Sequence, residues 1–314
     1  MTSLTFDRSC YSTADKLIGW VSQLLDGFPP SDVVSPTFPL KAFRDIAERV
    51  RQRRWTAYLI GGAIRDLVIS RGTRTPRDLD VVVSDVGREE LLNEFKDFPF
   101  VGLTRFGGLR IRYFGILLDI WPLGETYTSG GRHLDAIQDL TKCAFLDVEA
   151  IAMEIGPRKG RKRKVVESGF TSAVISRTLE INCESNPFPE VSVVKALRTA
   201  LRLNLAIGPR LIEFVQRMHW KPRVFFEAQK SHFGEPMFSR DEMNWWLEAV
   251  CQWDARQGPL TLGTGLVPNR KWLVQLLGNY HKGNTNTHPQ GRMNRRGKAP
   301  TKDPKRKIRN VAHA

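Results

Sequence analysis

The sequence feature that most constrains the fold is an apolar segment that ends at two consecutive glycines. Residues 57–60 are apolar and stop at Gly61-Gly62, after which residues 63–70 have helical spacing. Glycine lets the backbone approach a ligand closely, and the N-terminus of the following helix offers unpaired N–H groups to an anion. Two glycines before a helix can also form a simple tight turn, so the segments that follow decide between the two interpretations.

Three aspartates come next, in a pattern that favours a shared cation. Asp78 and Asp80 stand at positions i and i+2 of a predicted strand, so their side chains point to the same face. Asp119 lies between Leu118 and Ile120 in a second predicted strand, where an unpaired carboxylate is costly. Carboxylate oxygens suit Mg²⁺, and two ions about 3.5–4 Å apart can serve an in-line displacement at phosphorus. The alternative for Asp78 and Asp80 is a turn with solvated carboxylates.

Together these segments resemble a known signature. Tyr58-Leu59-Ile60-Gly61-Gly62-Ala63-Ile64-Arg65-Asp66, followed by Asp78-Leu79-Asp80, is similar to the head-domain pattern GGxxRD…DxD. That pattern is typical of class II tRNA nucleotidyltransferases and bacterial poly(A) polymerases. The resemblance implies an α+β fold: a nucleotidyltransferase palm, with a mixed sheet and flanking helices, followed by an all-helical domain.

The resemblance also implies roles for individual residues. The expected ligands of a two-metal Mg²⁺ site are Asp78, Asp80 and Asp119. The expected contacts with the triphosphate of an NTP substrate are Gly61, Gly62 and Arg65, with Asp66 in a supporting polar role. Further along, Lys195-Ala196-Leu197-Arg198 is similar to the family's RAxR helix start, which implies that Lys195 and Arg198 face the nucleotide. A solvated helix face is the alternative for this pair.

Two segments depart from the family's pattern. Cys143-Ala144-Phe145-Leu146-Asp147-Val148-Glu149-Ala150 stands where RRDFT-N-A is expected, and it lacks the arginines. Phe188-Pro189-Glu190-Val191-Ser192 does not supply the EDxxR motif, whose Asp and Arg read the base of the incoming nucleotide in that family. The choice of nucleotide therefore stays open at the level of the sequence.

The domain limits follow from where strand signals give way to helical ones. We expect an N-terminal extension over residues 1–38, the palm over 39–185, a helical domain over 186–280 and a disordered basic tail over 281–314. Helical periodicity dominates from Val191 onward, whereas the tail has too few large apolar groups to offset the entropy lost on folding.

Positive charge points to a polyanionic partner. The chain has 48 Lys and Arg against 33 Asp and Glu, a net charge of +15 and a pI near 10.0. Clustered cations favour the binding of nucleic acid through long-range electrostatic attraction and counterion release. We expect RNA, and tRNA in particular, to contact a basic turn and the tail, although either element can also serve only solubility. The candidate residues are Arg158, Lys159, Arg161, Lys162, Arg163, Lys164, Arg295, Arg296, Lys305, Arg306 and Lys307.

Other classes of protein are disfavoured. No apolar run approaches the roughly 18 residues of a membrane span, and the scattered cysteines form no CxxC pair. With no secretory signal evident after Met1, we expect a cytoplasmic protein that has reduced thiols and no membrane partner.

The leading hypothesis is a metal-dependent enzyme that adds nucleotides from NTP to an RNA 3′ end and releases pyrophosphate. A toxin or defence transferase that inactivates tRNA is one alternative. A catalytically silent RNA-binding or partner protein on the same scaffold is another.

Overall fold

The computed structural model of the chain describes residues 14–26, 39–70, 72, 75–126, 131, 133–156, 162–185, 188–218 and 222–262. The predicted basic tail lies outside these residues, and so do Arg158, Lys159 and Arg161 of the predicted basic turn.

A seven-stranded mixed sheet organises the first part of the protein. Its strands are β1 (Thr56–Ile60), β2 (Asp78–Ser84), β3 (Phe100–Leu103), β4 (Leu109–Tyr113), β5 (Ile116–Pro122), β6 (Ile151–Ile155) and β7 (Val165–Glu167). They lie in the order β3-β4-β5-β2-β1-β6-β7. The central neighbours β2 and β5 are parallel, whereas the other pairs of this sheet are antiparallel.

Helices cover one face of the sheet and form the main core. They are α1 (Ala14–Leu25), α2 (Leu40–Gln52), α3 (Gly62–Ile69) and α4 (Arg88–Glu94). In α2, Phe43, Ile46 and Val50 recur at helical spacing and are all buried, as an amphipathic helix requires. They pack in the same cluster as Leu79 and Val81 of β2. Burial of one such side chain stabilises the fold by about 1.5–3 kcal/mol.

The opposite face carries a thinner apolar layer. Val82 of β2 packs there with Trp121, and Tyr58 of β1 packs with Ile137 of α5 (Ile137–Cys143). Because strand residues alternate between faces, the even-numbered residues of β2 share the face of Val82. Asp78 and Asp80 therefore point to the thinly covered side, at the N-terminal end of β2.

The hairpin of β4 and β5 sets the position of the third predicted aspartate. Tyr113 pairs with Ile116 across a two-residue turn, in which Phe114 and Gly115 both have positive φ, at 48° and 79°. Such turns match the natural twist of a hairpin. The resulting register places Asp119 beside Arg110.

Helices dominate after the sheet. They are α6 (Phe170–Ser176), α7 (Pro189–Leu203), α8 (Pro209–Arg217), α9 (Pro222–Phe233) and α10 (Arg240–Gln252). α7 begins with a proline in its first turn, and α10 begins with a capping box between Ser239 and Glu242. The mixed sheet followed by helices confirms the predicted α+β class, whereas the domain limits stay predictions.

Two strand features differ from expectation. The sequence gives no signal for the edge strand β3, because its apolar residues do not alternate with polar ones. In the structure Phe100, Val101 and Leu103 are all exposed. The short strands β8 (Thr178–Leu179) and β9 (Ala206–Ile207) pair in parallel. In the chain, β9 lies between α7 and α8. Strands this short carry too few residues for a periodic signal.

Among the helices described, none has both the length and the apolar character that crossing a membrane demands.

Candidate active site

The glycine loop joins β1 to α3 in a conformation that requires glycine. Gly61 has φ 62° and ψ −125°, a region that residues with a Cβ rarely enter. Its N–H donates to the carbonyl of Ile151 (3.0 Å), and its carbonyl accepts from the N–H of Arg65 (3.2 Å), which starts the helix. Among the residues that the structure describes, no side chain caps the N-terminus of α3, so the first N–H groups of this helix are offered to a ligand.

The predicted carboxylates lie beside this loop in one row across the sheet. Asp80 is opposite Ile60, the last residue of β1, and it is also opposite Asp119 in the parallel pairing of β2 with β5. Asp78 lies two residues before Asp80 in β2, so the two side chains point to the same face of the sheet. The structure thus brings the three aspartates together at the end of β1 from which the glycine loop starts.

The electrostatics of Asp80 reflect this crowding. Burial, followed by the negative charges of Asp78 and Asp119, raises the pKa of Asp80 to about 7, although Lys195 and Arg77 act in the opposite direction. A bound cation would offset both causes, because it stabilises the ionised form of a partly buried carboxylate. This donor set therefore has the chemistry that a hard divalent ion requires.

Arginines already engage the two outer carboxylates. Arg110 donates from Nε to Oδ1 of Asp119 (2.8 Å) and from Nη2 to Oδ2 (2.5 Å). Arg77 donates to Oδ2 of Asp78 from Nε (2.9 Å) and from Nη2 (2.6 Å). In this arrangement, no three His, Cys, Asp or Glu side chains of the described residues form a group that could hold a metal. The donors fit a cation at Asp78 and Asp80, whereas Asp119 becomes a ligand only if Arg110 releases it.

A largely buried ion network lies next to the glycine loop. Arg65 donates from Nε to Asp66 (2.8 Å) and from Nη1 to Glu149 (2.5 Å). The second oxygen of Glu149 accepts from Nζ of Lys195 (2.7 Å). Asp66 also accepts from Arg202 (2.8 and 3.1 Å). Since Lys195 and Arg202 both belong to α7, the network joins this helix to the loop.

The acids of the network stay ionised despite their burial. Burial opposes the ionisation of Glu149, but Lys195 and Arg65 outweigh it and lower its pKa to about 2. Burial likewise opposes the ionisation of Asp66, and the charges of Arg65 and Arg202 outweigh it and lower its pKa. Each acid therefore has two cationic partners, as buried charges require.

The predicted nucleotide contacts fall into three environments. Lys195 ion-pairs with Glu149 and has a side chain that is 51% exposed, and its charge lowers the pKa of Asp80. Arg65 and Asp66 have side chains only 8% exposed and face each other inside the network. Arg198 directs Nη1 to the sulfur of Met237 (3.3 Å). Arg65 is therefore placed to support the loop from beneath.

The described part of the basic turn is also divided. Lys162 and Lys164 are exposed. The side chain of Arg163 is only 8% exposed, ion-pairs with Asp26 and donates to the carbonyl of Glu154 (2.8 Å). Arg163 thus contacts both Asp26 and β6.

Sequence reasoning missed three residues of the site: Arg110, Glu149 and Arg202. Arg202 follows Lys195 by two helical turns, and this spacing places both on one face of α7. Glu149 stands in the segment that departs from the family's pattern, so its acidic side chain was an available signal. Arg110 offered no local signal, because its partner depends on the register of the hairpin.

Comparisons with known proteins concern the fold of the chain. No family model and no curated protein matches the chain, but solved structures do. A CCA-adding enzyme of Thermotoga maritima complexed with tRNA has a TM-score of 0.50 and 15% identity, covering 75% of this chain and 53% of that one. A tRNA-processing enzyme in apo form has a TM-score of 0.51 and 15% identity, with coverages of 69% and 60%. A CCA-adding enzyme complexed with ATP has a TM-score of 0.50 and 16% identity, with coverages of 67% and 51%.

These likenesses define the class of fold. The chain shares the fold of these CCA-adding and tRNA-processing enzymes at 15–16% sequence identity. It spans between about half and three-fifths of the length of these solved structures.

Proposed function

We propose that the protein is a nucleotidyltransferase that adds nucleotides from NTP to the 3′ end of an RNA, with tRNA as the favoured acceptor. The observation that carries this proposal is the row formed by Asp80 and Asp119 beside the end of β1, where the uncapped N-terminus of α3 begins. Carboxylates for a cation and N–H groups for phosphates then lie side by side, as phosphoryl transfer requires.

The reaction is a single displacement at phosphorus. The RNA 3′-hydroxyl oxygen forms a bond to the α-phosphorus of the NTP, the bond between that phosphorus and the bridging oxygen to the β-phosphate breaks, and pyrophosphate leaves. The hydroxyl proton passes to solvent. The RNA is longer by one nucleotide after each cycle.

The chain's own residues bind and orient the reactants. Backbone N–H groups in the first turn of α3, beginning with Gly62, donate hydrogen bonds to phosphate oxygens. The ammonium of Lys195 adds a positive charge. Asp78 and Asp80 would hold Mg²⁺, with Asp119 completing the set when Arg110 releases it. When bound, Mg²⁺ supplies Lewis-acid stabilisation of the charge that develops on the phosphate oxygens.

Two further observations support the choice of substrates. The solved structures of this fold include complexes with tRNA and with ATP. The net charge of +15 favours a polyanionic acceptor.

The test is to incubate the protein with total RNA, Mg²⁺ and each labelled NTP in turn, and to identify the labelled RNA. We expect incorporation that depends on Mg²⁺ and is lost in Asp80→Asn. Labelling by the wild type that persists fully in Asp80→Asn would overturn the proposed site.

The same experiment separates the alternative functions. The EDxxR motif is missing before Lys195, and this favours a transferase outside housekeeping maturation. Labelling of mature tRNA with loss of its aminoacylation would identify the toxin-type activity. RNA binding without any labelling would identify a catalytically silent scaffold.

A further inference from the structure

Glu149 connects the palm to α7 through one carboxylate. Its Oε1 accepts from Arg65 (2.5 Å) and its Oε2 from Lys195 (2.7 Å), with its own side chain only 15% exposed. Arg65 is fixed a second time by Asp66. One oxygen of Glu149 is therefore tied to a rigid element of the palm, and the other is directed at a lysine of the following helix.

Lys195 is the movable partner of this arrangement. Its side chain is 51% exposed, and its ammonium lies 2.7 Å from Oε2 of Glu149, whose carbonyl lies beside Gly61 of the glycine loop. A lysine has four rotatable bonds, and holding it in one place costs conformational entropy. The contact with Glu149 supplies the interaction that holds the ammonium there.

The location of Glu149 connects this contact to the glycine loop. The Glu149 carbonyl lies 3.6 Å from the position that a Cβ would take at Gly61. Nη2 of Arg65 lies 3.3 Å from the corresponding position at Gly62. Glu149 thus stands under the loop that is proposed to receive phosphates, while its negative charge suits it poorly to touch them itself.

We infer that Glu149 is a positioning residue for the polyphosphate of the nucleotide: it holds the Lys195 ammonium at the carboxylate row, where the β- and γ-phosphates would bind. This inference rests on the proposed function and deepens it. Because Lys195 belongs to α7, affinity for the polyphosphate depends on the docking of this helix against the palm. The effect does not depend on the base, since an ammonium is a point charge that meets only phosphates.

A purely structural role for Glu149 makes a different prediction. A buried acid with two cationic partners stabilises the fold wherever it lies, and its loss lowers the amount of folded enzyme without changing KM. Glu94 provides a matched control, because its side chain is 10% exposed and it ion-pairs with Arg49 of α2 and with Arg53, the residue after this helix.

The experiment compares Glu149→Gln, Lys195→Met, the double variant and Glu94→Gln. Steady-state transfer gives KM and kcat for each of the four NTPs, calorimetry gives the Kd for Mg²⁺-ATP and for Mg²⁺-pyrophosphate, and melting without nucleotide gives Tm. We expect Glu149→Gln to raise KM and both Kd values about tenfold or more, by the same factor for every base, with kcat changed far less. Lys195→Met should match it.

The double variant tests whether Glu149 acts through Lys195. We expect its Kd to equal that of Lys195→Met, because the lysine that Glu149 positions is already gone. Glu94→Gln should lower Tm and leave KM unchanged. Unchanged KM and Kd in Glu149→Gln, or effects that multiply in the double variant, would overturn the inference.

Two outcomes need separate treatment. If Glu149→Gln does not fold, Glu149→Asp keeps a charge beside Arg65 while withdrawing the carboxylate from Lys195; a raised Kd supports the inference and an unchanged Kd overturns it. If the wild type transfers no nucleotide, the proposed function is wrong. The Kd for Mg²⁺-pyrophosphate then still tests whether Glu149 positions Lys195. Weaker binding by Glu149→Gln then supports positioning, and no binding by the wild type overturns it.

Discussion

Arg110 of β4 lies directly opposite Asp119 of β5 and donates to both of its carboxylate oxygens, at 2.8 and 2.5 Å. The guanidinium thereby balances one charge of a row in which Asp80 is crowded by its neighbours. Arg110 therefore competes with a metal ion for the carboxylate of Asp119.

Arg110→Gln should strengthen Mg²⁺ binding, because Asp119 then offers two unoccupied oxygens to the ion. Stability without metal should fall by about 1 kcal/mol or less, since the Arg110 side chain is 44% exposed and the pair is screened by solvent. Calorimetric titration with Mg²⁺ measures the first effect, and urea unfolding in EDTA the second. Arg112→Gln, on the same strand and exposed, is the control, and equal Mg²⁺ affinity in both variants would contradict the expectation.

Asp80→Asn should change the dependence of stability on pH as well as abolish transfer. The pKa of Asp80 is raised from 3.8 to about 7 in the folded protein, so the fold favours the protonated acid. Its contribution to stability is present at low pH and is lost as pH rises from about 4 to about 7. In EDTA, the variant should therefore melt above the wild type at pH 8, and this advantage should shrink toward pH 4.

The comparison must be made between the two proteins at each pH, because burial also raises the pKa of Asp147 to about 7. Both proteins share that second group, and only the difference between them reports on Asp80. A difference in Tm that is the same at pH 4 and pH 8 would show that the pKa of Asp80 does not differ between the folded and unfolded chains.

Arg202→Met should destabilise the fold strongly, because Asp66 loses one of its two cations while its side chain stays only 8% exposed. Removal of one member of a buried pair costs about 3–5 kcal/mol. Arg217→Met is the control: Arg217 pairs with Glu184, with side chains 60% and 52% exposed, and its loss should cost under about 1 kcal/mol. Equal midpoints of urea unfolding in the two variants would contradict the assigned role of the network.

Deletion of residues 282–314 should weaken RNA binding without changing kcat at saturating RNA. The segment carries clustered cations, including Arg295, Arg296 and Lys305, and each phosphate contact contributes about 0.7–0.9 to the slope of log affinity against log salt. The truncated protein should therefore show a shallower salt dependence, with equal effects on RNAs of different sequence. Filter binding at several salt concentrations measures this, and an unchanged slope would mean that the segment only aids solubility.

The sequence predicted those parts of the site that depend on local periodicity. Asp78 and Asp80 share a face because strand residues alternate, and Asp119 joins them because its strand pairs with β2. The partners of the cations were not predictable in this way. The resemblance implies that Arg65 contacts the triphosphate, yet Glu149 and Asp66 enclose its side chain. Such contacts depend on how distant elements pack, and no local pattern encodes them.

The parallel pairing of β2 with β5 has a consequence for how the chain acquires its site. In the chain, α4, β3 and β4 lie between Asp80 and Asp119, so their pairing is a long-range contact that carries a loop-closure cost. In a nascent chain the aspartates are dispersed and hydrated, and the carboxylate row does not yet exist. A nucleotide that binds the completed row therefore stabilises only chains that have finished the central sheet.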